Sequence, residues 1–202
     1  RASLERADLA IPDGAGVLWA MRRAGFAKAE RITGVDFLDD LCAIAAKKQA
    51  GVFFLGTKEE GIVRKAAEEL RRRYPALIVA GATSGGAIGE EAAQDGTRGW
   101  REDPKTIDGI IDASPRVLIV ALGHGKQEQW IVDHLPMLPS VRIAIGVGGA
   151  LDVISGRMPR APRLMRRLGL EWLFRLVLEP KRILRILNAV VVFSWLVMTK
   201  GA

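Results

Sequence analysis

Four short apolar runs constrain this chain more than any other feature. Gly51-Val-Phe-Phe-Leu55, Leu77–Ala80, Val117–Leu122 and Val141–Val147 are nearly free of polar residues, and each is followed at once by a glycine: Gly56, Gly81, Gly123 and Gly148. Strands that are apolar on both sides belong in a sheet covered on both faces, which points to parallel pairing. Helical patterns lie between the runs, so alternation extends along the chain. Gly61–Tyr74 places Val63, Ala66, Ala67 and Leu70 on one helical face. Val35–Ala50 with Thr33 near its cap, Pro104–Ala113 with proline in its first turn, a helix through Val132, and Leu151–Ser155 complete the pattern. The expected fold is α/β: a Rossmann-like, mostly parallel sheet with helices on both faces. Its glycine turns line the carboxyl edge of the sheet, where open α/β folds bind ligands.

At the front, Leu9–Ile11 reads as a further short strand ending at Pro12-Asp13-Gly14, followed by a helix over Gly16–Ala24. Residues 81–103 hold six glycines and read as a long polar loop, either a mobile substrate loop or an insertion. The single cysteine, Cys42, rules out an internal disulfide and reads as a buried thiol within Phe37, Leu38, Leu41 and Ala45. The chain opens on Arg1 within a helix-like stretch, without a secretory signal, and reads as a fragment of a longer protein.

Charge divides the chain in two. Residues 157–202 carry ten basic residues and two acids, a formal charge of +8, against +7 for all 202 residues and so −1 for residues 1–156. The same stretch carries Trp172, Phe174, Phe193 and Trp195. Basic and apolar residues at helical spacing suit an anionic membrane surface, and nucleic acid is not an expected partner. The charge-free run Ile186–Thr199 is 14 residues long, short of the roughly 20 that span a bilayer. The expected domains are therefore a body over 1–156 and a helical, membrane-associating appendage over 157–202. The exposed apolar tail also offers a surface to a second copy, so a homo-oligomer is a further expectation.

Several local constellations bear chemistry. Asp13 ends the first apolar run and is placed either as a general base or as a helix cap, the reading local spacing favours. Arg31, in Glu30-Arg31-Ile32-Thr33-Gly34, suits a phosphate oxygen or a surface pair with Glu30. Gly123, Lys126 and Gln127 follow a strand and suit a diphosphate or a sugar, while Gly148, Gly149 and Asp152 form a strand–turn–helix junction able to hold a diphosphate or simply to turn the chain. Arg175, Arg182 and Arg185 would share a face of a continuous helix. His124 and His134 lack a metal-ligand spacing, and the sequence contains no Asp-x-Asp of the kind that holds a nucleotide diphosphate through a divalent cation. Helix N-termini and arginines would then neutralise a leaving diphosphate, and no metal or other cofactor is expected.

Read in order, Ala7-Asp-Leu-Ala-Ile-Pro-Asp13-Gly14, Glu30-Arg-Ile-Thr-Gly34, Gly51-Val-Phe-Phe-Leu-Gly56, Lys126-Gln-Glu128, Gly146-Val-Gly-Gly-Ala-Leu-Asp-Val-Ile-Ser-Gly156, Arg160-Ala-Pro162, and Gly169-Leu-Glu-Trp-Leu-Phe-Arg175 before Glu179-Pro180 resemble the WecG/TagA/CpsF family of bacterial glycosyltransferases. The resemblance implies a metal-independent, inverting transfer from a UDP-sugar to a polyprenyl-diphosphate-linked sugar, with N-acetylmannosamine or its uronic acid as the sugar moved. It implies work at the cytoplasmic face of the bacterial inner membrane, in teichoic acid, common antigen or exopolysaccharide synthesis. Asp13 matches the family's base, Arg31 and Gln127 its active-site polar residues, and Arg175, Arg182 and Arg185 the arginines of an appendage that meets the lipid diphosphate. Three departures accompany the match. An upstream Thr-x-Asn segment has no counterpart before Arg1, His124-Gly125 stands where the family has a proline before Lys-Gln-Glu, and the loop over 81–103 is longer and lacks an aromatic motif.

Two other readings stand beside this one. The glycine turns alone also suit a nicotinamide-dependent oxidoreductase, although Gly146-Val-Gly-Gly149 is not a full GxGxxG with a later acid. The basic tail alone suits a non-catalytic membrane-binding module. Protection by UDP or by NAD separates the first two, and turnover of a UDP-sugar separates both from the third.

Overall fold

The computed structural model describes residues 5–56, 59–92, 98–178 and 192–200. Its chain divides into two compact units, Arg1–Asp8 with Gly34–Met158, and Leu9–Thr33 with Pro159–Ala202.

The first unit is built on a four-stranded parallel sheet. Its strands are β1 (Val52–Gly56), β2 (Val79–Thr83), β5 (Val117–Ala121) and β6 (Ile143–Gly146), in the order β2-β1-β5-β6. The two central strands are buried along their whole length, as unbroken apolar runs require. Side chains alternate across them. Val52, Phe54, Val117 and Ile119 pack with α2 (Gly34–Lys47), α3 (Glu60–Arg73) and α6 (Ala150–Ile154), whereas Phe53, Leu55, Leu118 and Val120 pack with α4 (Pro104–Ala113) and α5 (Lys126–His134). Val63, Ala66, Ala67 and Leu70 are buried together on α3, and Cys42 is fully buried on α2. Burial pushes the Cys42 thiol up to about 12.

Strand order sets where a ligand site can form. From β1 the chain leaves through α3 on one face, and from β5 it leaves through α5 on the other. The connections diverge, so a crevice opens between the carboxyl ends of β1 and β5. Gly56 permits the strands to approach there: its φ is +114°, and a Cβ on it would lie 2.7 Å from the Ala121 backbone.

Residues 81–103 depart from the expected open loop. β2 runs on to Thr83, and β3 (Gly89–Ala92) pairs antiparallel with β4 (Arg98–Arg101) as a hairpin. Two apolar side chains anchor it from outside the polar pattern: Ile88 is buried, and Trp100 packs against the same cluster as Trp130. The α4 helix begins as its sequence dictates, with Pro104 in the first turn and Asp103 accepting from the Lys105 N–H at 3.0 Å.

The second unit contains α1 (Ala15–Arg23), α7 (Arg163–Arg167), α8 (Glu171–Leu178) and α9 (Phe193–Lys200). The expected strand over Leu9–Ile11 is absent: Leu9 is exposed, and among the described residues this unit offers no strand for it to pair with. Pro12 also lacks the N–H that continued pairing would use. The segment's backbone is held instead by the Ile32 N–H donating to the Pro12 carbonyl at 3.2 Å. The Phe193 ring lies against Gly16, and Gly169 lies against Ala15, so α1 packs within this unit on α9 and on the turn between α7 and α8. Among the described residues no helix is long and apolar enough to cross a membrane.

Candidate active site

On the β5 side of the crevice, the carboxyl edge of the sheet is organised by Gln127. Gly123 and Gly125, both at positive φ, turn the chain out of β5, and the Glu128 carboxylate accepts from the Gly125 N–H at 2.7 Å to start α5. That start aims Gln127, 4% exposed, back across the sheet. Its Nε2 donates to Glu128 at 2.9 Å and its Oε1 accepts from the Gly148 N–H at 2.9 Å. One amide therefore ties the turn after β5 to the turn after β6. The arrangement depends on a missing side chain, because a Cβ on Gly146 would lie 2.6–2.7 Å from Gln127. Neither sequence spacing nor motif indicated this contact between Gly146 and Gln127.

The other expected donor-side residues also have partners within this unit. Lys126 donates from Nζ to the Ile88 carbonyl at 2.8 Å, linking the turn after β5 to the start of the hairpin. Asp152 sits in the first turn of α6, and Arg157 bridges it at 3.4 Å to Glu59 at 3.1 Å. Gly123, Lys126, Gln127 and Gly148 are thus brought together, with Gly149 as the cap residue of α6 and Asp152 beyond it.

Behind α5 lies a buried polar group that sequence reasoning did not find. Glu102 meets His134 Nε2 at 2.6 Å and accepts from Trp130 Nε1 at 2.8 Å. His134 Nδ1 faces the Trp130 carbonyl at 2.8 Å, so that nitrogen carries the donated proton. The His134 ring stacks on Trp130 at 4.3 Å, and Trp100 donates from its indole to Asp133 at 2.9 Å. These contacts fasten the end of the hairpin to the helix that carries Gln127. Both ring nitrogens of His134 thus face protein groups.

A recess of about 410 Å³ opens beside the edge strand, lined by Phe53, Glu60, Thr83, Ser84, Lys105 and Thr106 among others. Glu60 accepts from the Ser84 N–H at 2.6 Å and binds Arg64 at 2.9 Å. Its carboxyl sits below its ordinary value: burial opposes the shift, and hydrogen bonds from Ser84 and Arg64 outweigh it.

The remaining expected site residues fall in the second unit. Asp13 is exposed and stands one residue before Gly14, the cap position of α1. Arg31 is not paired with Glu30. Its Nε donates to the Asp13 carbonyl at 2.6 Å, its Nη1 to the Arg166 carbonyl at 3.2 Å, and its Nη2 pairs with the Glu171 carboxylate. Arg175 lies on α8, four residues after Glu171. Arg182 and Arg185 lie outside the described residues. Exposed Leu164, Leu168, Trp172 and Val177 stand among the arginines of α7 and α8. Among the described residues no three His, Cys, Asp or Glu side chains gather as a metal site would need.

Comparison with known proteins agrees with this arrangement of motifs. The profile of the glycosyl transferase WecG/TagA/CpsF family matches residues 1–202. An N-acetylglucosaminyldiphosphoundecaprenol N-acetyl-beta-D-mannosaminyltransferase of Bacillus subtilis (strain 168) is 33% identical over 185 residues, covering 92% of this chain and 66% of the relative. The protein of the same name from Staphylococcus aureus (strain NCTC 8325 / PS 47) is 32% identical over 192 residues, covering 95% of this chain and 69% of the relative. The chain thus spans about two thirds of the length of the curated relatives it matches. A profile match over every residue, with relatives above 30% identity, shows that this chain belongs to the WecG/TagA/CpsF family of glycosyl transferases.

Proposed function

We propose that this chain transfers a sugar, N-acetylmannosamine or a related hexose, from a UDP-sugar to a polyprenyl-diphosphate-linked sugar, with inversion and without a metal ion. The observation that carries the reading is the carboxyl edge of the parallel sheet, where Gln127 joins the turns after β5 and β6 next to the reversal of strand order between β1 and β5. The names of the relatives supply the acceptor class. UDP would sit along Gly123, Lys126, Gly148, Gly149 and Asp152, with Gln127 orienting the sugar. Asp13 takes the proton from the acceptor hydroxyl as that oxygen attacks the anomeric carbon. The carbon–oxygen bond to UDP breaks with its electron pair leaving on the diphosphate, so a single displacement inverts the centre. Arg175, with Arg182 and Arg185, offsets the acceptor's diphosphate charge. Metal independence is supported by the lack of Asp-x-Asp and by this supply of arginines.

The proposed place of action is the cytoplasmic face of the bacterial inner membrane. Exposed Leu164, Leu168, Trp172 and Val177 beside Arg163 and Arg167 support peripheral attachment to anionic lipid.

The test is turnover of UDP-N-acetylmannosamine with a short polyprenyl-diphosphate N-acetylglucosamine acceptor, with and without chelator. A β-linked product formed in chelator supports the reading. Asp13→Asn is expected to lower kcat by about 100-fold or more, the scale of a lost general base. Unchanged turnover in Asp13→Asn removes Asp13 as the base, and NAD-dependent oxidation without any sugar transfer removes the reading itself.

A further inference from the structure

Arg31 is tied into the protein through each nitrogen of its guanidinium. All three of its nitrogens donate within the protein, to the Asp13 carbonyl, the Arg166 carbonyl and the Glu171 carboxylate. The two side chains are only 17% and 18% exposed, so the pair is held in a medium where losing one partner leaves a poorly compensated charge. The planar fork of arginine suits this three-way contact, and a lysine would not reproduce it. Glu171 stands in the first turn of α8, where the helix dipole also favours its charge.

We propose that Glu171 is a positioning residue for the transfer reaction, acting through Arg31 to fix the loop that bears Asp13. The proposal rests on the reading of Asp13 as the base. Arg31 grips the Asp13 backbone at 2.6 Å, and the neighbouring Ile32 N–H grips Pro12 at 3.2 Å. The carbonyls of the two peptide units that flank Asp13 are therefore both held by one short segment. That segment is anchored in turn by Glu171. Glu171 and Arg175 are four apart on one helix and share a face. A single rigid helix thus presents an arginine for the acceptor diphosphate and the carboxylate that holds the base loop. A base must lie within about 2.6–3.2 Å of the proton it removes. A misplacement of about 1 Å can cost about 100-fold in rate.

The experiment is a double-mutant cycle in the full protein. Glu171→Ala and the isosteric Glu171→Gln are expected to lower kcat by about 10–100-fold while leaving KM for the UDP-sugar unchanged. Glu171→Asp, which keeps the charge, is expected to recover part of the loss. In an Asp13→Asn background the same changes should cost nothing further, because no base remains to position. An equal loss in both backgrounds would overturn the proposal, as would a rise in donor KM with kcat intact. Hydrogen exchange of residues 9–14 supplies a readout that needs no turnover. Faster exchange there in Glu171→Gln supports the link, and unchanged exchange refutes it, even if no UDP-sugar proves to be a substrate and the proposed function fails.

Discussion

Gln127 and Gly146 are 19 positions apart in sequence, yet a single added methyl on Gly146 would strike the Gln127 side chain at 2.6 Å. The glycine is a condition for the amide's placement, and the amide in turn binds the Gly148 N–H. Gly146→Ala is therefore expected to displace Gln127. Overpacking of this kind costs about 1–3 kcal/mol. Chemical denaturation should read that loss, and turnover should fall further than stability does. Wild-type kcat in a folded Gly146→Ala protein would separate Gln127 from the chemistry.

Glu102 accepts from the Trp130 indole and also faces His134 Nε2, so its removal has a definite cost. Glu102→Ala strips the acceptor from buried Trp130 Nε1 and the partner from His134 Nε2. An unsatisfied buried polar group costs about 1–3 kcal/mol. The melting temperature should drop accordingly, and Glu102→Gln, which retains an acceptor oxygen for the indole, should lose less.

Alkaline pH should destabilise the first unit. The Cys42 thiol is raised from 9.0 to about 12 by burial, with Asp39 adding to the shift, and the Tyr74 hydroxyl is raised from 10.0 to about 12, chiefly by its hydrogen bond to Asp39. Both groups bind protons more tightly when folded, so their contribution is complete below pH 9 and is lost as pH rises toward 12. Denaturant midpoints across that range should fall. Cys42 should also resist thiol reagents at pH 8 until the protein is unfolded.

Removal of residues 159–202 should have unequal effects. Gly34–Met158 has its own sheet and two-sided core and is expected to stay folded. Residues 9–33 lose their packing partners Gly169 and Phe193 and the Glu171 contact. Limited proteolysis should therefore cut first within 9–33. Equal resistance of that segment in the intact and shortened proteins would argue against its packing with the tail.

Much of the fold was legible because it is written in contiguous residues. The runs ending at Gly56, Gly123 and Gly148 announced three strands by composition, and Val63, Ala66, Ala67 and Leu70 announced the buried face of α3. The hairpin was less legible. Its strands are four residues each and largely polar, and Ile88 and Trp100 become anchors only once α4 and α5 are beside them. The segment Leu9–Ile11 misled in the opposite way: its composition suits a strand, but pairing requires a neighbour that the described residues of its unit do not supply.

By itself, the sequence determined the element types and the residues with chemistry to offer. Periodicity and turn residues act over a few positions, and those interactions do not depend on the rest of the chain. Tertiary structure alone decided the strand order β2-β1-β5-β6 and hence the crevice. It also decided the partners. Arg31 could have met Glu30 one residue away, but its guanidinium is held by Glu171, 140 positions on, because packing within the second unit brings that carboxylate and two carbonyls to it together. Three acceptors in a partly buried place outweigh one acid in water, and only the folded chain can assemble them.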